Sequence, residues 1–509
     1  MSKNGGIDRS GSDLLDAFAD AVLRWPERAA IESPEHTLSY QQLAFSAQRL
    51  AARLGDRPGP VAVAAGHHPD TVVALLGILA AGGVYVPIDP AFPVERQRQM
   101  TETAGCRLLV GPGTSEHADQ LGLSPLELHD STDQAPAWRT TVVAPGDPAY
   151  LLFTSGSTGR PKPVLTPREA ITATVGSLRE LFEVGPDDRV LQFASLNWDT
   201  CFEEILPTLT AGGRLVFDPE AHSASFPRLL RMVERRGITV LDLPTAFWHE
   251  LVLHLTEDGG RAELPECVRL VVIGGEAANP ARLADWSRLA GSSRIRLLNT
   301  YGCTETTLIT HAVDLLGPRT PEPGRHWEPT GRAPIGRALP HVDELLTADG
   351  ELLIGGPAIA TGYPGLPEAT AERFVLRDGH RWFRTGDRAA RDEDGVLTPL
   401  GRLDHEVKIR GIRVDPAEVE AGIGAHPGVG ATAVTATTLA GRAALVAYVV
   451  PRTGGPDPAL AAELLLYLRE RLPGHLVPSR ITVVPDLVRT ASGKVDRAAS
   501  HRLHSTAPR

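Results

Sequence analysis

Residues 150–162 read Tyr-Leu-Leu-Phe-Thr-Ser-Gly-Ser-Thr-Gly-Arg-Pro-Lys. The segment opens on a short apolar run that is strand-like. Thr154, Ser155, Gly156, Ser157, Thr158 and Gly159 then alternate hydroxyl side chains with glycine ahead of Lys162. Glycine lets the backbone approach closely, so amides and hydroxyls can converge on one anion. A Ser/Gly run by itself is a surface loop. The strand directly before it and the charge at Lys162 turn the reading toward phosphate contact. The spacing is not that of a Walker A loop, in which lysine follows glycine directly and precedes Ser or Thr. Here Lys162 follows Gly-Arg-Pro and precedes Pro163.

Outward from this segment, helical and strand patterns alternate. Apolar runs at Val61 to Ala65, Val84 to Ile88, Arg107 to Val110, Arg189 to Phe193, Arg214 to Phe217, Thr239 to Leu243 and Leu270 to Ile273 are separated by helical stretches. Such βα alternation predicts an α/β fold whose sheets are covered by helices on both faces. The longest apolar stretch, Thr71 to Val86, contains Gly77, Gly82 and Gly83 and runs into Pro87. It reads as a buried helix (69–81) entering a strand, not as a membrane span. Residues 318–335, with five prolines, read as a surface loop. After Gly401-Arg402-Leu403-Asp404 the pattern changes to a compact α+β unit, so the chain divides into 1–401 and a small lid at 402–509.

Of 51 Lys and Arg residues only four are lysine. Lys3 lies near the N-terminus; Lys162, Lys408 and Lys494 each sit in a glycine-containing motif. Where Arg serves every general need, a surviving Lys marks a place for a compact, mobile ammonium. Composition is that of a globular protein, 42% hydrophobic and 22% charged. The net charge of −11 argues against nucleic acid or an anionic membrane as the main partner. Cys106, Cys201, Cys267 and Cys303 lack metal-type spacing and read as reduced thiols. With no apolar segment of signal type among residues 1–12, the expected location is the cytoplasm.

Further motifs fall in order: Leu-Ser-Tyr-Gln-Gln-Leu (38–43), Tyr-Val-Pro-Ile-Asp-Pro (85–90), Asn-Thr-Tyr-Gly-Cys-Thr-Glu (299–305), Gly-Glu-Leu-Leu-Ile-Gly-Gly (350–356), Phe-Arg-Thr-Gly-Asp (383–387), Leu-Pro-Gly-His-Leu-Val-Pro (472–478) and Ser-Gly-Lys-Val-Asp-Arg (492–497). With 154–162 and 401–404 they resemble the adenylation domains of nonribosomal peptide synthetases, within the acyl-adenylate-forming superfamily, from about residue 13 to 500. The resemblance implies a large N-terminal portion of helix-covered sheets with a small β-barrel-like region, and a mobile α+β C-terminal lid. It implies ATP and Mg²⁺ as cofactors. Tyr301 would lie against the adenine and Asn299 would bond its amino group. Thr300, Gly302, Gly275, Glu276 and Ala277 are assigned with them to the nucleotide. Thr304 would contact phosphate, Glu305 would hold the metal, and Asp387 would meet the ribose with Arg402 nearby. Lys494 would bridge substrate carboxylate and α-phosphate. Asp404 would be the hinge on which the lid turns, withdrawing Lys494 and presenting the Lys408 face for thioester formation. Three positions depart from the pattern: Pro163 for glycine, Pro167 for histidine and Cys303 for proline.

The segment Trp198 to Glu204 matches the stretch whose aspartate binds a substrate amine, so Asp199 implies an amino acid. The side-chain pocket maps to Thr200, Glu203, Ala246, Val272, Gly274, Thr300, Leu308 and Ile309. In this mapping Glu203 is the one acidic group of a neutral lining. A buried carboxylate without a partner is costly, so the substrate is expected to bring a cation. The set resembles domains for lysine-like diamino acids, β-lysine among them. The chain reads as a free-standing activating enzyme serving a separate phosphopantetheinylated carrier protein, with an MbtH-type helper an open question. A small amine or coenzyme A is the alternative acceptor.

Overall fold

The computed structural model describes residues 13–128, 137–156, 160–257, 264–320, 332–404, 406–409, 411–439, 442–452, 458–489 and 495–505. Two sheets form the body of the N-terminal portion. The first has six strands, running in space Ser124–Leu126, Leu108–Val110, Pro60–Ala64, Val84–Ile88, Pro148–Thr154 and Lys162–Pro167. All its pairs are parallel except the last, where the two arms of the phosphate-loop segment form an antiparallel pair. The second has nine strands, parallel at its centre through Val240–Pro244, Leu270–Gly274 and Arg296–Gly302, with antiparallel strands at both ends. Parallel pairing explains why these strands read as near-continuous apolar runs.

The helix Pro69–Ala80 is buried along its whole length, as the Thr71 to Val86 run foretells. Pro69 starts it, and the His68 ring accepts the Asp70 amide at 3.2 Å. Its Gly77 allows the neighbouring helix Tyr40–Leu54 to come close, since a β-carbon there would lie 2.8 Å from the Ala47 carbonyl. A second buried helix, Thr200–Ala211, carries Asp199 at its N-terminal end. One core cluster joins these two helices to both sheets.

A third sheet, antiparallel, contains Asp343–Leu346, Glu351–Gly355, Phe374–Arg377, His380–Arg391 and Leu397–Arg402, in the region read as barrel-like. Beyond it come a hairpin, Val407–Ile409 with Ile412–Val414, and a three-stranded sheet of Val429–Leu439, Arg442–Pro451 and Arg480–Val483. The helices Pro416–Gly424 and Pro458–Arg469 pack on that sheet around a separate apolar cluster. The fold is therefore mixed α/β with a small C-terminal unit. Most of 318–335, and residues 1–12, lie outside the described residues. No helix among the described residues is long and apolar enough to cross a membrane.

Two glycines test the packing in opposite directions. A β-carbon on Gly302 would fall 1.7 Å from the Leu308 carbonyl oxygen, whereas one on Gly176, exposed inside the helix Arg168–Phe182, meets nothing within 4 Å. Gly302→Ala should therefore cost at least about 3 kcal/mol. Gly176→Ala should stabilise by about 1 kcal/mol. Urea denaturation of the two variants checks both signs.

Candidate active site

Helical spacing places Asp199 and Glu203, four residues apart, on one face of the buried helix. That face looks into a cavity of about 580 Å³. Opposite stand the C-terminal ends of the central parallel strands, which contribute Asp242, Pro244, Gly274, Gly275, Thr300 and Gly302. Ligand sites of open α/β sheets form at such strand ends. Thr154, Thr200, Thr304, Leu308 and Ile309 complete the wall.

Two positions of the mapped pocket are corrected. Ala246 does not line the cavity, because it has already passed from the strand Val240–Pro244 into the helix that follows; Asp242, two residues before Pro244 and facing the same way, takes the place. Val272 is fully buried in the apolar core and does not reach the cavity either. Nor is the lining otherwise neutral, because Asp242 joins Glu203. His67, His222 and Phe193 also line the cavity and escaped the sequence reading. Burial holds both imidazoles below their usual range, His67 down to about 4, so they are neutral near pH 7.

Asp199 accepts from the Thr304 hydroxyl and the Thr200 amide; burial, outweighing these bonds, raises its carboxyl. Glu204, on the back of the same helix, accepts from the Phe193 and Ala194 amides at 3.0 and 2.9 Å and from Gln192 at 2.9 Å. Its role is to hold the segment leading to Asp199. Glu203 has no comparable set of donors; a hydrogen bond joins it to Asp242, and burial followed by the Asp242 charge pushes it well above the carboxylate range.

The nucleotide-side residues are engaged with one another and with the C-terminal hairpin. Asn299 donates to the Pro334 carbonyl at 2.7 Å, and its Oδ1 is buried without a partner, free for an amino group. The Tyr301 hydroxyl donates to Asp387 at 2.6 Å, and Arg402 pairs with the other Asp387 oxygen at 2.9 Å. Thr300 donates to the Ile273 carbonyl. Glu276 accepts from the Gly411 amide at 2.6 Å, while Ala277 is exposed beside it. Arg402 also grips Asp404 at 2.6 and 2.7 Å.

At the phosphate loop, Thr154 Oγ1 is buried and unpartnered, a free donor of the kind an anion requires. Ser155 donates to the Arg413 carbonyl and accepts from the Asp415 amide, both at 3.0 Å. The Gly156 amide donates to Glu418, which Arg96 pairs at 2.8 Å. Ser157, Thr158 and Gly159, and Lys494 with its neighbours, lie outside the described residues. Lys162 Nζ stands 3.8 Å from Glu305 and 4.3 Å from the Tyr363 ring centre.

Glu305 is fully buried. Arg413 reaches it at 3.0 Å and the Tyr363 hydroxyl at 2.7 Å. Burial alone would raise its carboxyl, but Arg413, Lys162 and the Tyr363 hydroxyl together bring it down to about 2. Arg413 in turn spans to Glu406 at 2.7 Å. Lys408 Nζ lies 5.7 Å from the Tyr301 ring centre, and Lys408, Gly411, Ile412 and Arg413 close the cavity from the lid side. Sequence reasoning missed Arg413, Glu406 and Tyr363. Cys303 has a thiol pushed up to about 12 by burial.

With the site in view, the comparisons are clear. Residues 18–364 match the AMP-binding enzyme family and 418–494 its C-terminal domain. The chain belongs to the AMP-binding enzymes. Within them it is similar to an isonitrile lipopeptide synthase of Streptomyces coeruleorubidus, 40% identical over 96% of this chain and 33% of that protein. It is similar also to the phosphinothricin tripeptide synthetase PhsC of Streptomyces viridochromogenes, 36% identical over 96% of this chain and 45% of that one. The chain thus spans less than half of either relative. Among solved structures it resembles NpsA-ThdA of Klebsiella oxytoca, an artificially fused adenylation–PCP di-domain (25% identity, TM-score 0.78, covering 94% of each chain). It resembles equally the amide bond synthetase McbA of Marinactinospora thermotolerans (26% identity, TM-score 0.82, 97% and 100% covered). The likeness thus runs alike to peptide synthetases, to an adenylation–PCP di-domain and to an amide bond synthetase.

The ion pair at the centre gives a stability test. Removing one partner of a buried pair costs about 3–5 kcal/mol, because the other charge remains. Arg413→Gln should lie near the lower end of that range, since Lys162 still faces Glu305, and adding Glu305→Gln should return part of the loss. The depressed carboxyl makes Glu305's contribution complete above about pH 4.5, its unfolded value, and lost as pH falls toward about 2. Urea melts of the two single variants and the double variant at pH 7 and pH 4 read the coupling.

Proposed function

We propose that this AMP-binding enzyme activates a basic, lysine-like amino acid as its aminoacyl-AMP and passes it to the phosphopantetheine thiol of a separate carrier protein. The observation that carries the substrate class is the Glu203–Asp242 pair, two carboxylates from opposite walls of the cavity with no basic side chain among the described residues bonded to either. Asp199 takes the substrate amine. The cation at the far end of the side chain goes to the pair. Small residues at Thr200, Gly274 and Thr300 leave depth for it.

In the reaction the substrate carboxylate attacks the α-phosphate of ATP and pyrophosphate leaves. Two anions must meet, so catalysis rests on positive charge and positioning. Lys494 supplies the charge at the reacting oxygens, while Thr154, Lys162 and Thr304 face the phosphates. Tyr301, Asn299, Asp387 and Arg402 hold the nucleoside. Mg²⁺ commonly uses one or two carboxylates and takes its other ligands from phosphate and water. Glu305 would be the carboxylate that holds it, in the place Arg413 fills here; when bound, the ion would neutralise phosphate charge. No group of three or more acidic, His or Cys side chains among the described residues forms a metal cage on its own. The division of the chain at 401/402, with Asp404 as pivot, gives each half-reaction its own face of the lid. The Lys408 hairpin now at the cavity is the face assigned to thioester formation.

Likeness to McbA supports a second acceptor, a small amine, which would make the product an amide. Coenzyme A is a third. An MbtH-like helper is compatible with either reading.

ATP–pyrophosphate exchange tests the first step. Exchange should appear with lysine, β-lysine, ornithine, 2,4-diaminobutyrate or arginine; exchange restricted to aryl or fatty acids would exclude an aminoacyl substrate. Lys494→Ala should slow exchange by roughly 10²–10³-fold. Replacing both carboxylates, Glu203→Gln with Asp242→Asn, should lower kcat/KM for the basic substrate by roughly 30-fold, the effect of about 2 kcal/mol for a buried cation left unpaired. ATP affinity should hold.

A further inference from the structure

Inside the cavity two acidic groups meet each other, and no basic side chain among the described residues is bonded to either. Glu203 is 6% exposed, and the leading charge effects on it come from Asp242, Asp199 and Glu204, all acidic. Asp242 Oδ2 is buried and lacks a partner. The two side chains are nevertheless hydrogen-bonded to each other. An ionised carboxylate only accepts, so a hydrogen bond between two carboxyl groups requires a proton on one of them.

The remaining titratable and charged groups around the pair are accounted for. On its own helix, Glu204 is held by amides and Gln192, Asp199 by Thr304 and Thr200, and the Cys201 thiol is kept protonated by burial. On the facing walls, His67 and His222 are neutral. Lys408 and Arg413, at the lid side, are directed at Tyr301 and at Glu305 with Glu406. Among the described residues no internal counter-ion serves the pair.

We propose that Glu203 and Asp242 act as one charge-matching unit: one proton bridging them stays in place beside the substrate's distal cation, and a second proton, taken up in acid, locks that cation out. The inference rests on the basic-substrate reading above. With one shared proton the pair carries a single negative charge, and a bound ammonium makes the buried complex neutral. With two protons the pair is itself neutral, so an incoming ammonium must first expel one. The O–H bond breaks, the proton passes to the buffer, and the ammonium N–H groups take over the freed oxygen.

Near neutrality this unit is poised to switch. Burial pushes Asp242 up to about 7, against the lowering effect of its bond to Glu203, and burial with the Asp242 charge raises Glu203 well above the carboxylate range. The raised groups hold their protons below that point and release one above it. The substrate's own distal ammonium, at about 10.4 for lysine, stays charged throughout. Cation binding is therefore favoured as pH rises through about 7.

The test is isothermal calorimetry of lysine and β-lysine binding to the full chain, saturated with an unreactive ATP analogue. Two buffers of unlike ionisation heat give the number of protons released. About one proton should leave per cation bound at pH 6 and close to none at pH 8, with affinity rising about tenfold between them. Selectivity for lysine over norleucine should rise in parallel. In Asp242→Asn the amide can donate to Glu203 and keep it ionised, so affinity should become nearly independent of pH over this range. Lysine binding with no proton release at either pH would overturn the proposal and leave the basic-substrate reading standing. So would a tenfold step that survives Asp242→Asn, which would place the titration at Asp199, the group that meets every amino acid. Failure of every basic amino acid to bind at any pH would overturn both.

Discussion

Glu305 is a carboxylate taken wholly out of water, and the arrangement of the site depends on what neutralises it. Desolvating an ion costs several kcal/mol unless opposite charge and hydrogen bonds compensate. Here the compensation crosses from one part of the chain to the other, because Arg413 belongs to the lid hairpin. From Arg413 the charges continue through Glu406 to Arg402, and from Arg402 to Asp387 and the Tyr301 hydroxyl. The residues assigned to metal, ribose and adenine are thereby joined to the docking of the lid. An arginine cannot leave this network without leaving a buried anion behind. A cation held at Glu305 would meet the same charge and would let the arginine go.

Much of this was legible in the chain. Parallel strands betray themselves by unbroken apolar runs, and Thr71 to Val86 could be read as a buried helix because glycine and proline punctuate it. Asp199 and Glu203 were legible through the resemblance, which maps both to the substrate pocket. Asp242 was not. An acidic residue inside the run Val240-Leu241-Asp242-Leu243 is a visible anomaly, but whether it faces a cavity or a salt bridge depends on where the strand ends against its neighbours. Assigning Ala246 overran that end. The network around Arg413 was beyond reach for another reason: Arg413 and Glu305 are 108 residues apart, and either face of the lid could in principle have met the site.

The departures from the family pattern are mild in physical terms. Pro163 stands on an edge strand of its sheet, where a missing amide costs little. Cys303 replaces proline, yet its thiol contacts the Thr306 hydroxyl at 3.3 Å and stays protonated, so it adds no nucleophile to the site.

The Gly156 amide carries a single hydrogen, and in this arrangement it is spent on the carboxylate of Glu418. The lid thus supplies an occupant of its own for the first turn of the phosphate loop, held in place by Arg96. A nucleotide and this side chain compete for one donor. On the lid reading proposed above, affinity for ATP would be the intrinsic affinity multiplied by the fraction of molecules whose loop is vacant, so a lid seated 99% of the time would weaken it by about 100-fold. Substitutions at Glu418 or Arg96, neither of which need touch ATP, would register in a binding assay as changes of nucleotide affinity.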